Sequence, residues 1–459
     1  MVSTSDTVVL LKPFPVQIEA ADFLAQRRYA LLASMPRTGK TGASIMAADW
    51  AMDASIIVVT TASGCAVWRR AYALWSPLRT VQVIDGEDDT DEGRDVTIVS
   101  WDTLKRPRCL VTLRRRRRDR AIFDEAHNAA KFTSQRTQAA YGTPRDERGL
   151  HSAYALFGSV EGAWALTGTP MPNSPADLYP LLRTFCPERL AGGDGLPDVT
   201  GEEAFLQRYT VRFPMKTSRF AAPVMVVKEG RNEAELARRI DGFFLRRTQQ
   251  DVGIGEPIHE IMPLAVSTKV RRSVEQDVDK SAILAAAEAG NTKSLEMHMG
   301  PLRRLTGTIK AELVADAVKD EFDGGLDKIV LAYWHRDVGD MLADLLRPLG
   351  VLRIDGATSK AEREQAELLF REKRDFRVML AQIQAAGEAI DLSAAAVLWF
   401  VEPSFMPKDM LQMSLRITNY TQTRQCFVRV CVIENSIDEA AQTILLRKWT
   451  SIRKVLTPC

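Results

Sequence analysis

The chain has 459 residues, which exceeds the size at which a single hydrophobic core keeps growing, so two domains of about 200 residues each are expected. Apolar residues make up 46% of the chain and charged residues 26%, a composition that excludes a disordered protein and is typical of globular ones. Lys and Arg number 61 against 59 Asp and Glu, so the net charge of +2 excludes a uniformly basic protein, and any nucleic-acid surface must be local.

The sequence carries no sign of export. Its six cysteines lack the close pairs typical of zinc sites and disulfide frameworks, which favours a reducing compartment. Residues 1–6 read Met-Val-Ser-Thr-Ser-Asp, without the basic start and apolar core of a signal peptide, and no apolar stretch is long enough to span a bilayer. A cytoplasmic protein is expected.

Short apolar, β-branched runs alternate with stretches of helical spacing. The predicted strands of the first part are Ile56–Val59, Ile98–Val99, Ile122–Phe123 and Trp164–Leu166. The alternation returns at Ile329–Leu331, Val378–Leu380, Val397–Phe400 and Val428–Val432. Strands that alternate with helices predict an α/β fold with two lobes, each a mostly parallel sheet covered by helices on both faces.

Between these lobes, residues 175–325 are rich in helix formers, as in Ser281–Glu288, and show few strand runs. The sequence therefore predicts a first lobe over 1–250 with a helical insertion after residue 175, a connector over 251–325, and a second lobe over 326–459.

The densest basic run is Arg114–Arg118, followed by Asp119 and Arg120. Such a run is either a phosphate-binding patch or a solvated loop, and its composition does not distinguish the two.

A segment suited to phosphate binding spans residues 34–41 and reads Ser-Met-Pro-Arg-Thr-Gly-Lys-Thr. Gly39 lets the backbone turn its amides toward phosphate oxygens, Lys40 places a charge near the β and γ phosphates, and the Thr41 hydroxyl can ligate magnesium. A strict phosphate loop would begin with glycine where this chain has Ser34. Gly-Lys-Thr alone is equally compatible with an ordinary helix start.

Residues 121–127 read Ala-Ile-Phe-Asp-Glu-Ala-His, an apolar strand that ends in two carboxylates. In an open α/β sheet, ligands lie outside the carboxyl ends of the strands, so Asp124 and Glu125 would face the phosphate loop. Asp124 suits a magnesium shell of oxygen ligands, and Glu125 suits a base that orients or deprotonates the attacking water. The alternative is an acidic pair that caps a helix.

A third segment, Leu166–Asn173, again follows a strand end. Its small hydroxyl residues can hydrogen-bond toward the magnesium site and toward a neighbouring lobe. A plain strand-to-turn segment explains its Gly and Pro residues equally well, so the order of the three segments along the chain carries the inference.

In this order the segments resemble the motifs of superfamily two helicases, and more closely those of Swi/Snf-like DNA translocases, over nearly the whole chain. The resemblance implies two RecA-like lobes, ATP and Mg²⁺ as cofactors, and nucleic acid as partner. The segment Leu11–Gln17 resembles the family segment whose glutamine recognises adenine. The Gln17 amide can donate to N7 of the base and accept from its N6 amino group. The ATP-binding residues that it implies in the first lobe are Gln17, Arg37, Thr38, Gly39, Lys40, Thr41, Asp124 and His127.

Val58–Ser63 with Trp68, and Ile98–Trp101, resemble the nucleic-acid-facing segments of the family's first lobe. Either could equally be a strand end with a core tryptophan. The full set predicted to face nucleic acid is Ser63, Trp68, Ser100, Trp101, Thr167, Thr169, Asn173, Thr358 and Arg363.

In the second lobe, Ile354–Thr358 with Arg363, and Gln384–Leu392, resemble later motifs of the family, including Ala-Gly-x-x-Ile-Asp-Leu. Gly387 would permit a tight turn against phosphate, and Asp391 can order the loop. Both join the predicted ATP-binding set, together with Gln412 and Arg416.

The last motif departs from the family pattern. Asn419 stands where the resemblance places an arginine finger, a group worth roughly 10³ to 10⁵ in rate. Three explanations stay open, in order of preference: Arg416 or Arg424 takes the role, hydrolysis is slow and needs a partner, or the site only gates binding.

We therefore expect an ATP-driven motor with Lys40, Asp124, Glu125 and Arg416 as catalytic residues and magnesium held through Thr41 and Asp124. Its track is expected to be duplex or branched DNA, and its action translocation, remodelling or branch migration. A nucleotide-gated DNA clamp and an RNA helicase are the alternatives. The compact length favours a bacterial or phage-infected cytoplasm. A monomer on DNA is expected, and the helical region at about 175–325 is where a protein partner would bind.

Overall fold

The computed structural model describes residues 12–35, 37–146, 149–151, 154–168, 170–171, 174–193, 195–215, 224–276, 278–289, 292–386, 390–419 and 422–455. The chain divides into two compact units, Met1–Val252 and Gly253–Cys459. Across the described ranges no helix combines the length and apolarity needed to cross a bilayer.

The first unit is built on a seven-stranded sheet. The strands of this unit are β1 (Tyr29–Ser34), β2 (Ile56–Thr60), β3 (Val81–Ile84), β4 (Val96–Ser100), β5 (Arg118–Asp124), β6 (Thr143–Asp146), β7 (Gly149–His151), β8 (Val160–Leu166), β9 (Thr210–Met215), β10 (Val224–Gly230) and β11 (Phe244–Arg247). The sheet has the order β11-β1-β8-β5-β2-β4-β3, and every pair in it is parallel. The pairs β6–β7 and β9–β10 form separate antiparallel hairpins.

Helices cover this sheet. They are α1 (Pro15–Ala25), α2 (Lys40–Trp50), α3 (Gly64–Trp75), α4 (Trp101–Leu104), α5 (Pro107–Arg114), α6 (Gln135–Tyr141), α7 (Tyr179–Phe185), α8 (Glu202–Tyr209) and α9 (Glu233–Ile240). Strand β2 shows why both faces need cover: Ile57 and Val59 enter one hydrophobic cluster and Ile56 and Val58 the other, all fully buried. A strand buried on both faces must be apolar throughout, as its sequence is.

The second unit repeats the design with a six-stranded parallel sheet in the order β12-β17-β16-β13-β15-β14. Its strands are β12 (Ile258–Leu264), β13 (Ile329–Tyr333), β14 (Val351–Ile354), β15 (Val378–Gln382), β16 (Val397–Phe400) and β17 (Phe427–Ile433). Its helices are α10 (Thr268–Glu275), α11 (Lys280–Ala289), α12 (Thr292–Asp323), α13 (Arg336–Leu346), α14 (Lys360–Glu372), α15 (Ile383–Ala386), α16 (Pro407–Ser414) and α17 (Ile437–Val455). The predicted α/β fold with two parallel-sheet lobes is confirmed.

The region from residue 175 to 325 is less purely helical than the sequence predicts. Strands β11 and β12 lie inside it, and each adds an edge strand to one of the two sheets. Strand β12 pairs with β17 from Ile258↔Phe427 to Leu264↔Ile433, although much of it stays partly exposed. The four-residue β11 and the β12 strand of mixed polarity lack the continuous apolar run that predicts a buried strand.

The basic run does not form one surface. Arg118 begins β5 and is fully buried, where its guanidinium pairs with Asp91 and donates to Thr97 Oγ1 at 2.9 Å. Arg117, by contrast, is exposed and pairs with Glu161. The run is therefore divided between a buried structural ion pair and a solvated end.

Candidate active site

The phosphate-loop segment joins β1 to α2. Gly39 precedes α2 with φ 84°, in the left-handed region where glycine is favoured, and Arg37 has φ 73°. Lys40 starts the helix, and its ammonium donates to the Ser34 carbonyl at 2.8 Å. Thr38 is buried and directs its hydroxyl into the same loop. The first turn of α2 thus presents main-chain amides and a lysine at one place, which is a geometry suited to phosphate.

Gln17 contacts this loop directly. Its side-chain nitrogen donates to the Gly39 carbonyl at 3.2 Å, and its oxygen accepts from the Phe14 amide at 2.9 Å. The side chain is only 4% exposed. These bonds use one N–H and one oxygen lone pair of the Gln17 amide, so a second donor and a second acceptor site are left for adenine.

Replacing Gly39 with alanine is expected to weaken ATP binding about tenfold. A left-handed backbone costs a non-glycine residue about 1–2 kcal/mol. The alanine loop should relax in the free protein and must regain the strained form when ATP binds, and about 1.4 kcal/mol corresponds to a factor of ten in affinity. The added Cβ would also lie 2.2 Å from the Gln17 amide nitrogen. Titration with a fluorescent ATP analogue measures the effect. Gly325→Ala is the matched control, because Gly325 has φ +97° with open space around it, and it should leave ATP affinity unchanged.

The acidic strand end lies at the carboxyl edge of the same sheet. Asp124 ends β5, and its Oδ2 atom accepts two hydrogen bonds, from Thr60 Oγ1 at 2.8 Å and from the Trp68 indole at 2.8 Å. The Trp101 indole donates to the Asp124 main-chain carbonyl at 2.9 Å. Two elements therefore hold the Asp124 carboxylate, and a third holds its main chain.

The electrostatic surroundings of Asp124 include the phosphate loop. Desolvation raises the pKa of the Asp124 carboxyl, and the neighbouring Glu125 carboxylate adds to the rise. The hydrogen bond from Trp68 opposes that shift in pKa, as do the charge of Lys40 and the hydroxyl of Thr60. Lys40 and Asp124 thus lie close enough to influence each other, as a shared nucleotide site requires.

Glu125 and His127 extend the site toward the next strand. Glu125 adopts φ 49°, so the chain turns sharply after β5 and begins a 3-10 turn at residue 126. His127 Nδ1 lies 3.3 Å from Glu125 Oε2 and 3.0 Å from Thr167 Oγ1. His127 therefore connects the acidic strand end to the residue that follows β8. Glu125 keeps a partly exposed carboxylate, which is what a base that meets water needs.

The donor set fits magnesium. Asp124 Oδ1 accepts no hydrogen bond from any described residue, and the Thr41 hydroxyl likewise makes none in the part of the chain that the structure covers. Both offer oxygen, the atom that this hard cation prefers, and Mg²⁺ commonly takes one or two protein ligands and completes its shell with water and phosphate.

The predicted nucleic-acid contacts of the first unit need correction. Four of them are between 1% and 6% exposed and cannot meet a strand in this structure: Trp68, Ser100, Trp101 and Thr167. Ser100 caps α4 by accepting from the Thr103 amide at 3.0 Å. Both indoles support Asp124 instead, so the alternative of core tryptophans is the one that the structure favours. Ser63 is partly exposed at the start of α3 and stays a candidate contact.

In the second unit, Thr358 and Arg363 organise one loop. The Thr358 hydroxyl accepts from the Asp355 amide at 2.9 Å. Arg363 donates to three main-chain carbonyls, those of Asp355, Thr358 and Ala385, at 3.0 to 3.2 Å. Arg363 stays a predicted nucleic-acid contact, and its partly exposed guanidinium also organises this loop.

The residue at the expected finger position has a defined structural role. The Asn419 amide donates to Asp391 Oδ2 at 3.0 Å and to Ser393 Oγ at 3.4 Å, and Asp391 Oδ1 accepts from the Ser393 amide. Arg424 donates to the Ala394 carbonyl at 2.7 Å and to Gln422 Oε1 at 3.1 Å. Asn419 and Arg424 thus both hold the 391–394 segment.

Arg416 follows α16, two residues past its last residue Ser414. Its main-chain carbonyl accepts from the Leu392 amide at 3.0 Å, so the Arg416 turn lies beside the Asp391 segment. Gln412 lies on α16 and is 8% exposed. Arg416 therefore lies next to the Asp391 segment, and Gln412 precedes Arg416 by four residues in the chain. Thr169, Asn173 and Gly387, which complete the predicted sets, lie outside the described residues.

Thr60 is a site residue that the sequence did not reveal. Its hydroxyl reaches Asp124 from a neighbouring strand, and the two residues are far apart in sequence. The only signal was its place at the end of an apolar strand, which many threonines share.

Two protein-family models match the chain. The model of the SNF2-related domain matches residues 27–310, and the model of the helicase conserved C-terminal domain matches residues 311–420. A Caenorhabditis elegans homolog of SWI/SNF-related matrix-associated actin-dependent regulator of chromatin subfamily A-like protein 1 is 25% identical over 98% of this chain. The Xenopus tropicalis protein of that name is 23% identical over 93%. The chain spans 63% and 43% of the length of these two relatives.

Among solved structures, the chain is similar to the Sulfolobus solfataricus SWI2/SNF2 ATPase core in complex with dsDNA. The TM-score is 0.44 at 17% identity, and the match covers 97% of this chain and 94% of that one.

Proposed function

The chain belongs to the SNF2-related family of helicase-type ATPases, and from this premise we propose that it is a motor that moves along double-stranded DNA. The observation that supports the proposal most directly is the convergence in the first unit, where the loop between β1 and Lys40 and the Asp124–Glu125 pair after β5 lie at the same carboxyl end of one parallel sheet. Relatives named as regulators of chromatin favour DNA as the track.

In this proposal the first unit supplies most of the chemistry. Lys40 and the amides of the first turn of α2 bind the β and γ phosphates, and Glu125 orients the water for in-line attack. Thr41 and Asp124 would hold Mg²⁺, which supplies neutralisation of charge on the phosphate oxygens. Arg416 of the second unit stabilises the charge of the transferring phosphoryl group in place of the missing finger.

Movement would follow from the nucleotide state. Contacts that exist only with the triphosphate favour one arrangement of the two units, and hydrolysis removes them, so each cycle can shift the grip on the strand. We find no strand-separating wedge among the described elements, which favours translocation, remodelling or branch migration over vigorous unwinding.

A nucleotide-gated DNA clamp is the second candidate, and Asn419 is the observation that favours it. Asn cannot supply the positive charge of a finger, and here its amide is committed to Asp391 and Ser393. A clamp predicts DNA affinity that depends on ATP while turnover stays negligible.

Phosphate release measured with no nucleic acid, single-stranded DNA, duplex DNA, forked DNA and RNA tests the proposal. We expect duplex or forked DNA to raise turnover at least about tenfold, because track contacts should favour the hydrolysis-competent arrangement. Larger stimulation by RNA would select the RNA-helicase alternative. Absence of stimulation by every nucleic acid would defeat the motor, and ATP-dependent DNA affinity in the same preparation would then identify the clamp.

A further inference from the structure

The Trp68 indole is bonded to an ionisable side chain rather than to the main chain. Its nitrogen and the Thr60 hydroxyl both donate to Oδ2 of Asp124 at 2.8 Å. Trp68 is 1% exposed and Thr60 is fully buried, so water does not compete for either bond. Two donors on the same oxygen fix the plane of the carboxylate and leave Oδ1 as its open atom.

We propose that Trp68, together with Thr60, is a positioning residue for the magnesium ligand Asp124, and that the pair links this ligand to the turn at residues 61–64. The inference rests on the proposed function, since it takes Asp124 as the residue that holds the metal. Hydrogen-bond partners behind a metal ligand orient it and tune its affinity, and their loss typically weakens metal binding about 10- to 100-fold.

The link to the 61–64 turn is direct. Thr60 ends β2 immediately before the turn, and Trp68 lies one helical turn into α3, which begins at Gly64. The Gly64 amide donates to Thr61 Oγ1 at 3.1 Å, and a Cβ on Gly64 would lie 2.3 Å from Thr60 Oγ1. The turn therefore packs against the hydroxyl that holds Asp124, and a shift of the turn moves both donors.

A second buried tryptophan shows what a purely structural indole does in this unit. Trp164 is fully buried in β8, and its nitrogen donates at 2.9 Å to the carbonyl of Arg27, which precedes β1. Arg27 precedes β1, so this bond lies at the amino end of the parallel strands, whereas Asp124 lies at their carboxyl end. Trp164→Phe and Trp68→Phe thus each remove one buried indole hydrogen bond, but only the second touches the magnesium ligand.

The test compares nucleotide binding with and without magnesium. The affinity of the whole chain for a fluorescent ATP analogue is measured in Mg²⁺ and in EDTA. For Trp68→Phe we expect the gain in affinity that Mg²⁺ provides to fall about 10- to 100-fold, with affinity in EDTA unchanged. Trp164→Phe should keep the wild-type gain, even where its thermal stability falls. A wild-type gain in Trp68→Phe would overturn the inference.

Substitutions at Thr60 keep the inference testable should Trp68→Phe fail to fold. Thr60→Val removes the hydroxyl at nearly constant volume and should reproduce the loss of magnesium-dependent affinity. Thr60→Ser keeps the hydroxyl and should restore the wild-type gain. Equal gains in the two variants would overturn the role of this donor.

Gly64→Ala tests the link to the turn, because the added methyl group displaces the Thr60 hydroxyl without changing either donor. It should lower the magnesium-dependent gain, whereas Gly255→Ala, which has open space around its Cβ, should not. An unchanged gain in Gly64→Ala would contradict the link. None of these measurements requires hydrolysis or DNA. They stay interpretable if the phosphate-release test defeats the motor proposal. Conversely, wild-type magnesium gains in these variants would leave the motor proposal intact.

Discussion

Lys40→Ala is expected to abolish ATP turnover while leaving DNA binding largely intact. The Lys40 ammonium lies at the start of α2 beside the Ser34 carbonyl, where it would meet the β and γ phosphates. Loss of one group that stabilises developing charge in a transition state costs about 10² to 10³ in rate. DNA binding should persist because Lys40 serves the nucleotide and not the track.

Phosphate release at saturating duplex DNA measures the first effect, and a DNA-binding titration measures the second. Lys319→Ala is the matched control, since Lys319 is exposed on α12 and its only ion pair is with Asp316 at 3.0 Å in the part of the chain described. It should match the wild type in both assays. Turnover in Lys40→Ala equal to that of the control would remove the phosphate-loop assignment.

Arg416→Gln is expected to lower turnover by about 10³ to 10⁵, the factor that an arginine finger supplies. Arg416 is preferred to Arg424 because it lies four residues after Gln412, the spacing of the family motif, and because its turn is bonded to the Asp391 segment through Leu392. Single-turnover phosphate release isolates the chemical step. Arg424→Gln should stay within about tenfold of the wild type, and the reverse ranking would transfer the role to Arg424.

Asn419→Arg completes this experiment. With Arg416 in the role, we expect the added arginine to raise turnover less than about tenfold, since the charge is already supplied. Asn419→Ala loses the same bonds to Asp391 and Ser393 without adding a charge, so it is the baseline for Asn419→Arg. A gain of several hundredfold in Asn419→Arg alone would instead identify a slow engine that lacks its finger.

Strand positions were predictable where burial on both faces forces a continuous apolar run. All eight predicted runs lie inside strands of the two sheets, as Ile56–Val59 does in β2 and Val397–Phe400 in β16. Strand β1 gave no such signal, because Tyr29–Ser34 contains no β-branched residue. It is a strand because β8 and β11 flank it, which is a tertiary effect that overrides local preference.

The functional site, like the strands, was predictable from the sequence only in part. Residue type and order predicted the phosphate loop and the acidic strand end, because phosphate and magnesium chemistry require those groups in those places. The environments of Trp68 and Trp101 were beyond the sequence, since a tryptophan after a strand can face solvent or core. Their bonds to Asp124 depend on residues brought together only by the sheet.

The place of β1 within its sheet has a consequence for biosynthesis. This strand leads into the phosphate loop, yet its two neighbours come much later in the chain, as the pairings Leu31↔Ala165 and Leu31↔Phe244 show. At about 5–20 residues per second on a ribosome, the strand must wait many seconds for β11 to emerge. The nascent first unit therefore carries an unpaired apolar edge next to its nucleotide loop throughout that interval, and it is then that chaperone capture or aggregation would compete with folding.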